Sequence, residues 1–429
     1  MELRKNGEVH DRHQLEAAVA LAKGAPDVLV VVHGWLSDKT QARTRTRELT
    51  ANIKAVAAER TRGLVVVNLL WPSTQWVSEA DLAGGGASTE AAARELREHI
   101  KEDVDDEDVR TDLLEQAGKL EEAEARVAFV DALRGLVPGD DDDDSCLFEA
   151  SFGRDQDELF QRAAAFRPNR LRGTPRGGGA ANDPSGVPGP WPGRSGPSTG
   201  EGAAMGVAGL RRPFAEGALH LLNLTTYYRM RERTTHIGRV GAAEVLRRLG
   251  TPNGRRLHLV GHSMGARVIS VTVTEARSPQ VSSMVLLQGA FSHFGFAETY
   301  DGSKRSGLFR PVLTGDRLIG PLLVTHTRND SAVKWPYLLA STLAQQVAAG
   351  GVLGTGGRYG AIGSNGARGT PESHDGELRS VGHPYRFLPR MAHNLRSDGY
   401  ITSHSDVSGP EVADAIAAAA FGPPHGGHH

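Results

Sequence analysis

A single cysteine, Cys146, stands among 429 residues, so neither an intramolecular disulfide nor a cysteine cage for zinc can form. Charge of one sign is missing as well. Lys plus Arg number 49 against 51 Asp plus Glu, a net charge of -2, which removes the global electrostatic footprint of a nucleic-acid binder or an anionic-membrane binder. No run approaches the ~20 apolar residues that cross a bilayer, and Met1–Gln14 is charged throughout, without the apolar stretch of a secretory signal. The expectation is a cytoplasmic protein with no transmembrane segment and no nucleic-acid partner.

What is abundant is glycine, 52 residues, with 22 prolines, and both are concentrated rather than spread. From Gly173 to Gly202, 16 of 30 residues are Gly or Pro with few apolar side chains. Such a segment cannot bury enough surface to offset its ordering entropy, and a mobile loop is expected there. Before it, Ser88 to about Leu136 reads as acidic helices, ending in a solvated carboxylate run, Asp140–Asp144.

On either side lie short, β-branched, unbroken apolar runs, the pattern of parallel strands covered on both faces. They are Val28–Val32 and Leu64–Leu70, with a helix expected over Arg43–Arg62 between them. Leu257–Val260, Met284–Leu287 and Pro321–Thr325 follow, and a last strand is expected around Tyr385–Met391. Helices are expected at Ile237–Leu249, Gly265–Ala276 and Val412–Phe421, the last opened by a capping box, Ser408-Gly409-Pro410-Glu411. Thr225–Arg233 interleaves aromatic and basic residues, and is read as a helix packing Tyr and Met inward. The glycine-rich Gly350–Gly357 lacks the G-K-[ST] ending of a phosphate loop. Pro423–His429 reads as a frayed tail.

Chemistry is carried by Gly261-His262-Ser263-Met264-Gly265, which follows one strand and opens a helix, the setting of a G-x-S-x-G nucleophile elbow. A serine held in that turn needs small residues two positions either side, because sheet and helix backbones pass close there. The hydroxyl also needs a base, and the base an orienting acid. Asp330 lies in a polar turn just past a strand, whereas the preceding loop, Gln288–His293, holds no carboxylate and Asp316 lies before its strand. For the base, His404 precedes the closing helix, with His383, His393 and His326 as competitors. An oxyanion would be held by the N–H groups of Trp35, in His33-Gly34-Trp35, and Met264. His33 and His262 are expected to pack or hydrogen-bond beneath the site.

With His33-Gly34-Trp35, the Ser263 elbow, Asp330 and His404 in this order, the chain resembles the α/β-hydrolase superfamily, and within it lipase-like and esterase-like bacterial serine hydrolases. The resemblance covers Asp27–Ser73 and Thr235–Phe421. It implies an α/β fold with a mostly parallel sheet of about eight strands flanked by helices, and a long, helical, partly disordered insertion. It implies acyl transfer from a small-molecule or lipid ester through a seryl intermediate, with no cofactor. A thioesterase or serine peptidase would use the same groups. From another class comes an interaction module: a hydrolase scaffold with little or no activity that recruits a protein partner through the insertion. The division expected is 1–73 and 213–421 as two parts of one core, 74–212 as the insertion and 422–429 as a disordered tail.

Overall fold

The computed structural model describes residues 1–35, 37, 39–73, 89–137, 152, 155–166, 212–250, 254–275, 278–300, 304–343 and 359–422. The carboxylate run at Asp140–Asp144, the Gly173–Gly202 segment, Gly350–Gly357 and the tail at Pro423–His429 lie outside these residues.

Seven strands form one sheet: β1 (Asp27–Val32), β2 (Val65–Leu69), β3 (Arg256–His262), β4 (Ser283–Leu287), β5 (Leu322–His326), β6 (Ser373–Glu377) and β7 (Ala392–Arg396). Their order is β2-β1-β3-β4-β5-β7-β6, and every pair is parallel. The expected α/β class is therefore present, with seven strands among the described residues where about eight were expected. Upstream of β1 the chain adds only a single parallel bridge, Glu2 to Leu70, against the β2 edge.

Alternation along the strands explains why their sequences are apolar throughout. Val28, Val30, Val32, Leu257, Leu259, Met284, Leu286, Leu322 and Val324 face one apolar cluster. Leu29, Val31, Val260, Val285, Leu287 and Leu323 face the other. The second cluster is closed by helices Lys39–Val56 and Pro410–Phe421, which pack on each other. The first is closed by helix Met264–Thr274 and the long helix Arg212–His236. Three further helices, Thr89–Asp103, Ala123–Gly135 and Gln156–Ala165, pack on Arg212–His236, a fourth, Glu107–Ala117, packs on the first two of these, and Leu96, Ile100, Phe129 and Phe160 join the same apolar cluster as the sheet. Tyr227, Tyr228 and Met230 of the long helix are buried in it, as their spacing suggests.

Three local expectations are corrected. Tyr385–Met391 is irregular, because Pro384 and Pro389 cannot donate to a ladder and Tyr385 stacks on Phe387 instead; the strand is the next segment, Ala392–Arg396. Helix Pro410–Phe421 has Gly409, not Ser408, as its N-cap, with no side-chain cap bond, since proline at the first turn removes one donor that a cap would serve. Ile237–Leu249 is not one α-helix: Ile237–Ala242 is a π-helical turn, where Gly238 lies against Val271 and Gly241 against the Gly7 carbonyl. A side chain at either position would clash with these neighbours.

Topology fixes where a site can be. From β1 the chain moves outward to β2, then returns to the opposite side of β1 to lay down β3, β4 and β5. Right-handed crossovers in opposite directions put their helices on opposite faces, so the loops after β1 and β3 diverge and leave a crevice at the carboxyl ends of these neighbouring strands.

Candidate active site

At this switch point the loop after β1 meets the turn after β3. Ser263 is the N-cap of helix Met264–Thr274, with φ 55° and ψ −123°, a conformation that side-chain-bearing residues rarely adopt. A Cβ at Gly261 would sit 2.5 Å from the Gly265 carbonyl oxygen, and one at Gly265 would sit 2.3 Å from that of Val32. The sharp turn thus requires the two glycines because the backbones of β1, β3 and the helix meet at it. Backbone bonds hold the turn: Ser263 N–H donates to the Leu287 carbonyl at 2.9 Å, and Ala266 and Ala290 N–H donate to the Ser263 carbonyl at 3.0 and 3.2 Å.

The loop after β1 presses onto the same turn, since a Cβ at Gly34 would meet the Ser263 Cβ at 2.6 Å. Gly34 therefore lies against the serine, with Trp35 the next residue along the loop. Met264 is the first residue of its helix, where N–H groups have no acceptor within the helix and the dipole is positive. His33 fastens this loop. Its Nδ1 lies 2.7 Å from the Gly34 carbonyl, its Nε2 accepts the Trp71 N–H at 3.0 Å, and the Trp71 indole N–H donates to the His33 carbonyl at 2.8 Å. Trp71-Pro72 after β2 is therefore the brace of the loop. Burial pushes the His33 imidazole down to about 4, so it is neutral at neutral pH.

Asp330 and His404 come together. Asp330, in the turn after β5, is completely buried and its Oδ2 lies 2.7 Å from His404 Nδ1. Its Oδ1 accepts the Val333 N–H at 3.1 Å. His404 lies in the loop after β7 and is tied to the elbow by the neighbour of the serine: His262 Nε2 donates to the His404 carbonyl at 2.8 Å, and the two rings are 4.7 Å apart. Burial, and next the facing His404, hold the His262 imidazole well below its ordinary range, so it too is neutral. His262 can position His404 but carries no mobile proton at neutral pH.

Ser263 Oγ is buried and has no hydrogen-bond partner among the described residues, so the alcohol and the imidazole are not bonded to each other here. Such bonds are commonly long in ligand-free sites and tighten when substrate binds. Of the competing histidines, His393 lies at the second position of β7, toward the amino end, and accepts from the Leu388 N–H; His383 is exposed beside Tyr385. His326 ends β5, where burial lowers its imidazole.

One participant is not visible in sequence. Gln288, at the end of β4, is buried with φ 48°, and its Nε2 donates to Asp330 Oδ2 at 3.1 Å. In the sequence this is only a loop without a carboxylate; a donor to a carboxylate 42 positions away leaves no local pattern.

Among the described residues no group of three or more His, Cys, Asp or Glu could hold a metal ion, and no helix is long and apolar enough to cross a membrane. Comparison with known proteins finds no matching family model, no matching curated protein and no matching solved structure.

Proposed function

We propose that the protein is a serine hydrolase of the α/β-hydrolase type that cleaves carboxylic esters. Ser263 attacks the acyl carbonyl, His404 takes the hydroxyl proton and returns it to the leaving alcohol, and Asp330 orients His404 and stabilises its cationic form. The N–H groups of Trp35 and Met264 hold the oxyanion. The acyl-enzyme is then cleaved by water activated by the same imidazole.

The observation that carries this reading is the 2.7 Å Asp330–His404 contact beside a serine in a strained strand-to-helix turn. A buried carboxylate on a histidine whose backbone is held by the serine's own neighbour is what proton transfer requires, and is not needed to hold the sheet together. Strand order supports it, because the three side chains follow β3, β5 and β7 at one rim of the sheet. Esters are favoured over thioesters and peptides by analogy of fold alone.

The complete burial of Ser263 favours a second reading, an inactive scaffold that binds a protein partner. A panel of p-nitrophenyl esters of graded chain length, with an acyl-thioester and a peptide beside it, decides between them. The enzyme reading predicts turnover of short esters that Ser263→Ala and His404→Ala each lower by three or more orders of magnitude, while His383→Ala and His393→Ala stay near wild type. Equal hydrolysis by wild type and Ser263→Ala, or none by either, overturns it.

A further inference from the structure

Asp330 is fixed by more than its own turn. The end of β4 touches both halves of the proposed relay: the Leu287 carbonyl and the Ala290 N–H bond the backbone of Ser263, and between them the Gln288 side chain reaches Asp330. Gln288 is one of three non-glycine residues with positive φ among those described, and Ser263 is another. Such a conformation persists only where surrounding structure enforces it, and it clusters at functional sites.

The orientation of the amide follows from its partners. Thr325 Oγ1 accepts the Gln288 backbone N–H at 3.2 Å, so its own proton is free to go to Gln288 Oε1, 3.0 Å away. Nε2 then faces two acceptors, Asp330 Oδ2 and the Gly363 carbonyl, each at 3.1 Å. The flipped amide would set its oxygen against a carboxylate and a carbonyl and leave the threonine proton without an acceptor. Hence Thr325 fixes the amide, and the amide donates to the carboxylate oxygen that also accepts from His404.

We infer that Gln288 is a positioning residue for the proposed reaction: its amide, oriented by Thr325, holds the Asp330 carboxylate in line with His404 Nδ1 and in register with the Ser263 turn. The inference rests on the hydrolase reading. Mechanically, β4 becomes the strut between nucleophile and acid, so the base is aimed by the same strand that accepts the Ser263 N–H. The charged and titratable groups facing this line are His404, His262 behind it, Lys334 on the Asp330 turn, and the Arg328–Asp398 pair beyond.

The test measures kcat, KM and the pH profile with p-nitrophenyl acetate. Active sites are titrated by a fluorophosphonate probe so that only folded molecules are counted. In wild type the rate rises with pH to a plateau. Gln288→Glu is isosteric, and while protonated its carboxyl can donate to Asp330 as the amide does. Once ionised it cannot donate, and it repels the carboxylate. The expected result is a bell: near wild-type rates at low pH and a new falling limb that leaves kcat at least tenfold lower at high pH. Gln288→Leu lowers kcat by roughly tenfold to a hundredfold at all pH with little change in KM, the scale of a small misplacement of a catalytic group. Thr325→Val follows Gln288→Leu in direction, and Thr325→Ser, which keeps the hydroxyl, restores the rate. A Gln288→Leu variant that keeps the wild-type kcat across the pH range overturns the inference while leaving the hydrolase reading intact. A wild-type chain that takes no label overturns both.

Discussion

Ser263 and the glycines around it make one demand between them, that three backbones meet at a single turn. An added methyl at Gly265 would press on the carbonyl oxygens of Val32 at 2.3 Å and His33 at 2.6 Å, and backbone cannot step aside as a flexible side chain can. Gly265→Ala should therefore cost about 3 kcal/mol, the upper end of overpacking effects, read as a lowered urea midpoint at unchanged slope. An unchanged midpoint would mean that the strands do not pass this close. This part of the site is legible in the sequence, because crowding writes itself as glycine at fixed spacing. Asp330 is legible for a related reason, lying in a polar turn just past a strand while the loop after the preceding strand, Gln288–His293, holds no carboxylate. His404 could be ranked but not singled out among His383, His393 and His326, since position relative to a sheet edge is not a local property. Gln288 and Thr325 were beyond reach, because their role exists only once β4 and β5 lie side by side.

At the scale of elements, strands buried on both faces announce themselves and edge strands do not. β6, Ser373–Glu377, is polar and largely exposed at the sheet margin, so nothing in its hydrophobic pattern marks it. The sequence pattern sets β7 one segment early, because Tyr385 and Phe387 mimic strand alternation while two prolines forbid it. The acidic helices were legible as helices, but not as part of the core. Phe160 of helix Gln156–Ala165 is fully buried, edge-on to Phe129 and tilted against Phe214 of the long helix. Phe160→Ala should cost about 3–5 kcal/mol, and the loss should appear in one cooperative transition that carries the sheet with it. A separate early transition for these helices, with the main midpoint untouched, would show that they form an independent unit.

Across the whole molecule, the winding of the sheet explains both where the site lies and how stability should respond to acid. The reversal between β1 and β3 opens the crevice and crowds His33 and His262 beneath it as neutral rings. His33 binds its proton near pH 4 when folded, against 6.5 when unfolded, so below 6.5 the unfolded chain takes up protons that the folded chain refuses. Its contribution to stability is complete above pH 6.5 and is lost as pH falls toward 4, a loss on the order of 3 kcal/mol. Proton NMR should find the His33 ring untitrated between pH 7 and 5; an ordinary titration near 6.5 would place it in a wetter, looser setting. Whether Asp330 and His404 activate the Ser263 alcohol is decided by a fluorophosphonate probe reacted with the native chain and mapped by peptide mass. One adduct per chain is expected, on Ser263, absent after heat denaturation and slowed at least a hundredfold in His404→Ala. An unlabelled native chain, or an adduct on any other residue, would contradict it.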